Sequence, residues 1–138
     1  MSNHNPKISN AAASAAANAV CALANGAKLR LYDGTQPATA DTAIVAQNIL
    51  SEHALGNPDE PGAVNGVATF SAIGDDTDAN NTGNATWFSV WNAADNARLF
   101  DGSVGVTGSG SDIEMPTVAI QQHATVSVTS FSYTASKG

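Results

Sequence analysis

At 138 residues the chain is one domain by size, long enough to bury a core. It carries five basic against twelve acidic residues, net charge −7, and Lys7, Lys28, Arg30, Arg98 and Lys137 are scattered, which excludes the clustered cations that nucleic acid or an anionic membrane surface requires. A single cysteine, Cys21, excludes an internal disulfide, and a charged fraction of 12% leaves the polar surface to Ser, Thr, Asn and Gly, which suits an extracellular or particle-bound β protein better than a cytosolic enzyme.

Residues 1–7 are polar, include Pro6, and read as an arm; residues 8–138 read as a single helix-plus-sandwich domain. Ser9 or Asn10 can cap the alanine-dense stretch 11–24, which predicts a helix. Ala12, Ala16, Ala19, Val20 and Leu23 make a shallow apolar stripe on it, Ser14 and Asn18 share another face, and Asn25-Gly26 supplies a left-handed stop. Cys21 reads as a small buried residue of that helix. The segment lacks the Leu/Val/Ile-rich run of a signal peptide, and no stretch approaches the ~20 apolar residues of a membrane span, so the expectation is synthesis in a cytoplasm without export.

From residue 27 the pattern turns to strands. Ala27, Leu29 and Leu31 alternate with Lys28, Arg30 and Tyr32, and Asp33-Gly34 turns the chain. Residues 44–55 and 67–73 predict further strands, separated by the loop Asn57-Pro58-Asp59-Glu60-Pro61-Gly62. The segment 75–84 is an acidic, Asn-rich loop. Thr86–Asn92 is bulky on both faces and predicts a central strand covered on both sides. Arg98–Val106, Ile113–Met115, Val118–Ile120 and a long final strand Ala124–Thr134 complete the set. Short strands punctuated by Gly, Pro and Asn predict a mainly β chain: an antiparallel β-sandwich or jelly-roll-like domain with one N-terminal α-helix.

The residues with chemical potential do not assemble into a site. Asp76, Asp78 and Asn80 alternate as in a calcium loop, but Asn81 stands where the sharp-turn glycine belongs and Trp87 where a bidentate glutamate is needed. His4, His53 and His123 lack a ligand partner at helical spacing and read as surface or edge residues. Gly102-Ser103-Val104-Gly105 and Gly108-Ser109-Gly110 fit neither a nucleophile elbow nor a phosphate loop and read as turn chemistry. Asn80-Asn81-Thr82 and Asn84-Ala85-Thr86 match the glycosylation pattern, which means little without a secretory signal. Trp87 and Trp91 fall on one face with Ser89 between them; they read as core, with a carbohydrate platform as the alternative. No catalytic residue, cofactor or metal site is expected.

Several segments together resemble a group of small virion-associated proteins of tailed bacteriophages. They are the alanine-rich helix, the strand Leu29-Arg30-Leu31-Tyr32-Asp33-Gly34-Thr35-Gln36-Pro37-Ala38, Asn65–Thr69, Thr86–Phe88, Phe100–Gly105 and Ala124–Ser130. The resemblance spans most of the chain from about residue 8 and implies a structural component of a virion. The expectation is a capsid decoration (cement) protein that stabilises the exterior of the head, with a neck or tail component as the alternative. A glycan-binding module using Trp87 and Trp91 is the alternative of another class. The acidic charge fits an exterior position, since an interior one would face packaged DNA. The expected partners are the major capsid protein or other virion proteins and further copies of the chain, a trimer favoured, with no nucleic acid and no membrane. Lys7 and Ile8 are the expected shell contact. The chain would be made in the host bacterial cytoplasm and assembled on the particle.

Overall fold

Ser9 starts the helix. Its backbone is extended and its Oγ accepts the Ala12 N–H at 3.1 Å, satisfying one of the donors that a helix N terminus leaves open. The helix α1 (Asn10–Leu23) ends at Ala24, whose N–H reaches the Cys21 carbonyl, and the chain leaves through Gly26 in the left-handed region, at φ +68°. The computed structural model describes residues 5–56, 62–70 and 73–137. Residues 1–4 of the expected arm, with His4, lie outside these, as do 57–61 of the proline-containing loop and 71–72 of the expected strand 67–73.

Among the described residues nine strands follow: β1 (Lys28–Tyr32), β2 (Ile49–Ala54), β3 (Val67–Phe70), β4 (Gly83–Asn84), β5 (Trp87–Trp91), β6 (Arg98–Val106), β7 (Ile113–Met115), β8 (Ala119–Ile120) and β9 (Ser130–Thr134). Seven form one mixed sheet in the order β2-β1-β5-β6-β7-β9-β3, and β4 and β8 pair separately. The fold is thus mainly β with one N-terminal helix, and β5 takes the central, doubly covered place its sequence predicts.

β6 belongs to two ladders. Its residues 98–103 pair with β5, and 104–106 pair with β7. The sheet bends there and its two halves face each other. Phe88 of β5 meets Phe131 of β9 edge-on at 5.0 Å, Phe70 stacks on Phe131 at 4.3 Å, and Phe100 packs against Tyr133 at 4.8 Å. Gly102 lies opposite Phe88 in the ladder, and a Cβ there would stand 2.4 Å from the Phe88 ring, so the ring needs a bare backbone to lie on.

Three expectations change. First, β6 and β7 run parallel, an exception in an otherwise antiparallel sheet. The loop 107–112 folds back over β6, where a Cβ on Gly105 would sit 2.4 Å from Ser109 Oγ; glycine at 105 lets the chain return alongside in the same direction. Second, α1 buries Ala13, Ala17 and Cys21 rather than the stripe through Ala12, Ala16, Ala19, Val20 and Leu23; Val20 is half-buried and Leu23 is exposed. Polar bonds along the helix decide this. Asn10 Oδ1 accepts from Lys137 Nζ at 2.6 Å, Ser14 Oγ from the Gly66 N–H at 3.0 Å, and Asn18 Oδ1 from the Ala63 N–H at 2.8 Å. Third, the long final strand begins only at Ser130. The stretch before it is bonded to residues 76–79 instead: Val126 bridges Asp76, and the Ala79 N–H donates to the Ala124 carbonyl.

Candidate functional site

The outer face of β1, β5 and β2 carries the side chains that the core excludes. Tyr32 and Trp87 face each other across the β1–β5 ladder, their rings stacked at 4.2 Å, as do Arg30 and Ser89, and Lys28 and Trp91. The Asp-Gly sequence after β1, expected to make a tight turn, instead opens a long loop, 33–48, that folds back over this face. Asp33 closes its base: Oδ1 accepts the Asn48 N–H at 2.7 Å, Oδ2 accepts Asn48 Nδ2 at 3.1 Å, and its carbonyl accepts the Trp87 indole N–H at 3.0 Å. Arg98 holds the middle of the loop. It donates to the carbonyls of Thr39 and Thr42 and, through Nε and Nη2, to both carboxylate oxygens of Asp101 at 2.8 and 2.6 Å. A charged pair this deeply buried survives because two flat groups match each other's geometry.

Between loop and sheet lies a cleft of about 470 Å³, floored by Tyr32, Ile49 and Trp91, walled by Ala43, Ile44 and Gln47, with Arg30 and Arg98 at its rim. The volume is within the range of small-molecule sites. Its cations are already matched. Arg30 donates to Glu52 at 2.7 Å and Asp95 at 3.0 Å and lies over the Trp91 ring at 5.4 Å. Burial opposes the Arg30 charge, and the hydrogen bonds to Asp95 and Glu52 outweigh it, so the pKa rises; the same bond lowers that of Asp95. With two carboxylates on one guanidinium, the cleft presents no spare positive charge to an anion.

Trp87 and Trp91 do share a face, as their spacing predicts, but they are not equally accessible. Trp87 is fully buried beneath Tyr32, and Trp91, on the floor of the cleft, donates its indole N–H to Ser89 Oγ at 2.8 Å under the Arg30 guanidinium. Buried in this way, Trp87 has no ring face to offer a pyranose. The alternating acids are equally occupied: Asp76 accepts the Glu52 and Asp78 N–H groups, and Asp78 pairs with His123 at 2.6 Å. Among the described residues no group of three or more His, Cys, Asp or Glu is placed to hold a metal ion.

His53, expected at the surface or an edge, is 1% exposed. It projects inward because its register partner is Leu29, on the core face of β1. Ser51 Oγ lies 3.0 Å from its Nε2, the spacing of a nucleophile and its base, but Ser51 is buried as well and neither residue borders the cleft.

Of the expected shell contacts, Lys7 is exposed and Ile8 is 40% exposed, its N–H held by the Lys137 carbonyl at 3.1 Å. They stand at one end of a larger surface. No charged side chain occurs from Ile8 to Ala27. Four of the six exposed large hydrophobic residues among those described lie on this helix, just before it, or on the Val64–Val67 turn beside it: Ile8, Leu23, Val64 and Val67. Sequence reading identifies the helix but not the loop, because the Ser14 and Asn18 hydrogen bonds that hold 63–66 beside it join segments far apart in the chain. The cleft was equally hidden. Its one local sign is that the aromatic strand 86–92 needs a cover on its second face; residues 44–48, expected to open the strand 44–55, belong instead to the covering loop, and β2 starts only at Ile49. Compared with known protein families, curated proteins and solved structures, the chain matches none.

Proposed function

We propose that the chain is a structural component of a tailed-bacteriophage virion, a decoration protein seated as a homo-oligomer on the outside of the head. The observation that carries this reading is where the resembling motifs fall. Leu29 and Leu31 fill the core, Asp33 closes the loop 33–48, Thr86 Oγ1 ties that loop through the Gly34 carbonyl at 2.6 Å, and Gly102 receives the Phe88 ring. These are roles in closing and stiffening a body. Among the described residues, most of the exposed large apolar side chains gather at α1, a helix without charged side chains, and the Val64–Val67 turn. In a chain of net charge −7 a second copy meets least repulsion there. Threefold positions of an icosahedral shell would repeat that contact by symmetry, which favours a trimer. The exterior position is supported by the acidic charge.

The test is co-sedimentation of the purified chain with empty phage heads, together with gold labelling of intact particles against the chain. The expected result is co-sedimentation and label spread over the head. Label at the neck or tail would move the protein to that station, and failure to bind any part of the particle, with a positive glycan array, would replace the structural reading. Deleting residues 1–7 separates the two surfaces: unchanged affinity for heads removes Lys7 from the contact and leaves α1.

A further inference from the structure

We infer that residues 73–76 are an acid-operated cover over the edge of β2, with His53 as the group that releases it. β2 is the terminal strand of the large sheet, and the chain after β3 closes its outer backbone groups. The Ala54 carbonyl accepts the Gly74 N–H at 2.9 Å, the Glu52 N–H donates to Asp76 Oδ2 at 2.8 Å, and the Leu50 carbonyl accepts the Asn80 N–H at 2.8 Å. Leu55 and Ile73 add an isolated bridge at the end of the strand. An uncovered edge is a template for strand addition, so what holds this cover decides whether β2 can pair with another chain.

His53 is the side chain that ties the cover to the core. Its Nδ1 lies 2.8 Å from the Gly74 carbonyl and its Nε2 lies 3.0 Å from Ser51 Oγ. A carbonyl only accepts, so the neutral ring carries its proton on Nδ1, and Nε2 accepts the Ser51 hydroxyl hydrogen. Protonation turns Nε2 into a second donor. Ser51, fully buried, must then accept instead, and its own hydrogen loses the acceptor it had. A positive charge has also been placed in the interior. Both costs fall if Gly74 lifts and admits water.

The charged groups facing His53 are Asp75 and Asp76 on the cover and Glu52 on its own strand. Leu29, opposite on β1, is uncharged, and the neighbouring Arg30 is engaged with Glu52 and Asp95. Burial outweighs the three carboxylates and holds the imidazole below its ordinary range. The far end of the cover has its own tie: His123 Nδ1 lies 2.6 Å from Asp78 Oδ1. Asp76 and Ala79 also stay bonded to Val126 and Ala124. Opening is therefore confined to the part of the cover that lies over Glu52 and Ala54.

The experiment is amide hydrogen exchange by NMR on the full chain between pH 7.5 and 4, each rate referred to its intrinsic value, with the His53 ring followed in the same samples. Protection at Gly74 and Glu52 should fall about tenfold per pH unit below about pH 6.5, levelling where the His53 ring itself titrates. Val90 and Phe100, in the β5–β6 ladder, should be unaffected. In His53→Asn, whose Nδ2 reproduces the donor to Gly74 but takes up no proton, the fall should disappear. Constant protection in the natural chain would overturn the proposal. So would a fall that sets in only near pH 4 and does not level at the His53 titration, which would assign the effect to the carboxylates, or an equal fall at Val90 and Phe100, which would mean global unfolding. Should His53→Asn fail to fold, the natural chain decides by whether the fall levels off where its His53 ring titrates.

Discussion

Phe88 lies against a strand position that must be bare. Its ring contacts Phe131 across the fold and occupies the space where a side chain on Gly102 would begin. Phe88→Ala should cost about 3–5 kcal/mol, from lost transfer energy and the cavity left behind. Gly102→Ala should cost about 1–3 kcal/mol, because the methyl group and the ring compete for one volume. The two are coupled: in the double variant the alanine at 102 no longer meets the ring and is left with Asp112 Oδ2 at 2.8 Å, so the combined loss should fall short of the sum, which chemical denaturation of the four proteins measures. His53 gives the residue scale a pH dependence. Burial depresses its folded pKa, so the unfolded chain takes up the proton first, near pH 6.5. Stability should be full above that value and decline as pH falls from it to the folded pKa, a slope that His53→Asn should remove from denaturant midpoints.

At the scale of elements, α1 is held as much by its polar row as by its alanines. Asn10, Ser14 and Asn18 recur every four residues, and each accepts from a different part of the chain: Lys137, Gly66 and Ala63. An alanine face buries little area, so it permits several rotations of the helix about its axis, and these three bonds select one. Ser14→Ala and Asn18→Ala should each lose about 0.5–1.5 kcal/mol. The sharper outcome is local: exchange at Gly66 and Ala63 should accelerate while the β5–β6 ladder keeps its protection. The same element shows why the helix was legible while its buried face was not. Alanine density, the Ser9 cap and the Asn25-Gly26 stop are local, but alanines surround the helix on all sides, and the acceptors' partners lie as far away as residue 137.

For the whole molecule, the two halves of the sheet close on the phenylalanine cluster, loop 33–48 covers the second face of β5, and residues 73–81 cover the β2 edge. Among the described residues, four of the six exposed large apolar side chains gather at α1 and the Val64–Val67 turn, Val45 and Val106 being the other two. Assembly through the α1 surface would draw on apolar contact rather than on the five scattered cations. Raising salt from about 50 to 200 mM should then weaken binding to the particle far less than the ~10³-fold or more of a phosphate-reading protein, as titration by sedimentation would report. A steep loss of affinity over that range would contradict an assembly built on α1.

The sequence by itself determined the class of the fold and most of its elements. Capping, alternation and turn residues act between neighbours, so α1, β1, β5, β6 and β7 could be placed from their own residues. Tertiary structure alone decided which side of α1 is buried, that β7 returns parallel to β6, that Ala124 and Val126 bond to Ala79 and Asp76 rather than extend β9, and that His53 faces the core. Each of these depends on what a distant segment supplies: a hydrogen-bond donor, a strand edge or the space over a glycine. A single position cannot encode its partner, so these features arise only when the chain has closed on itself.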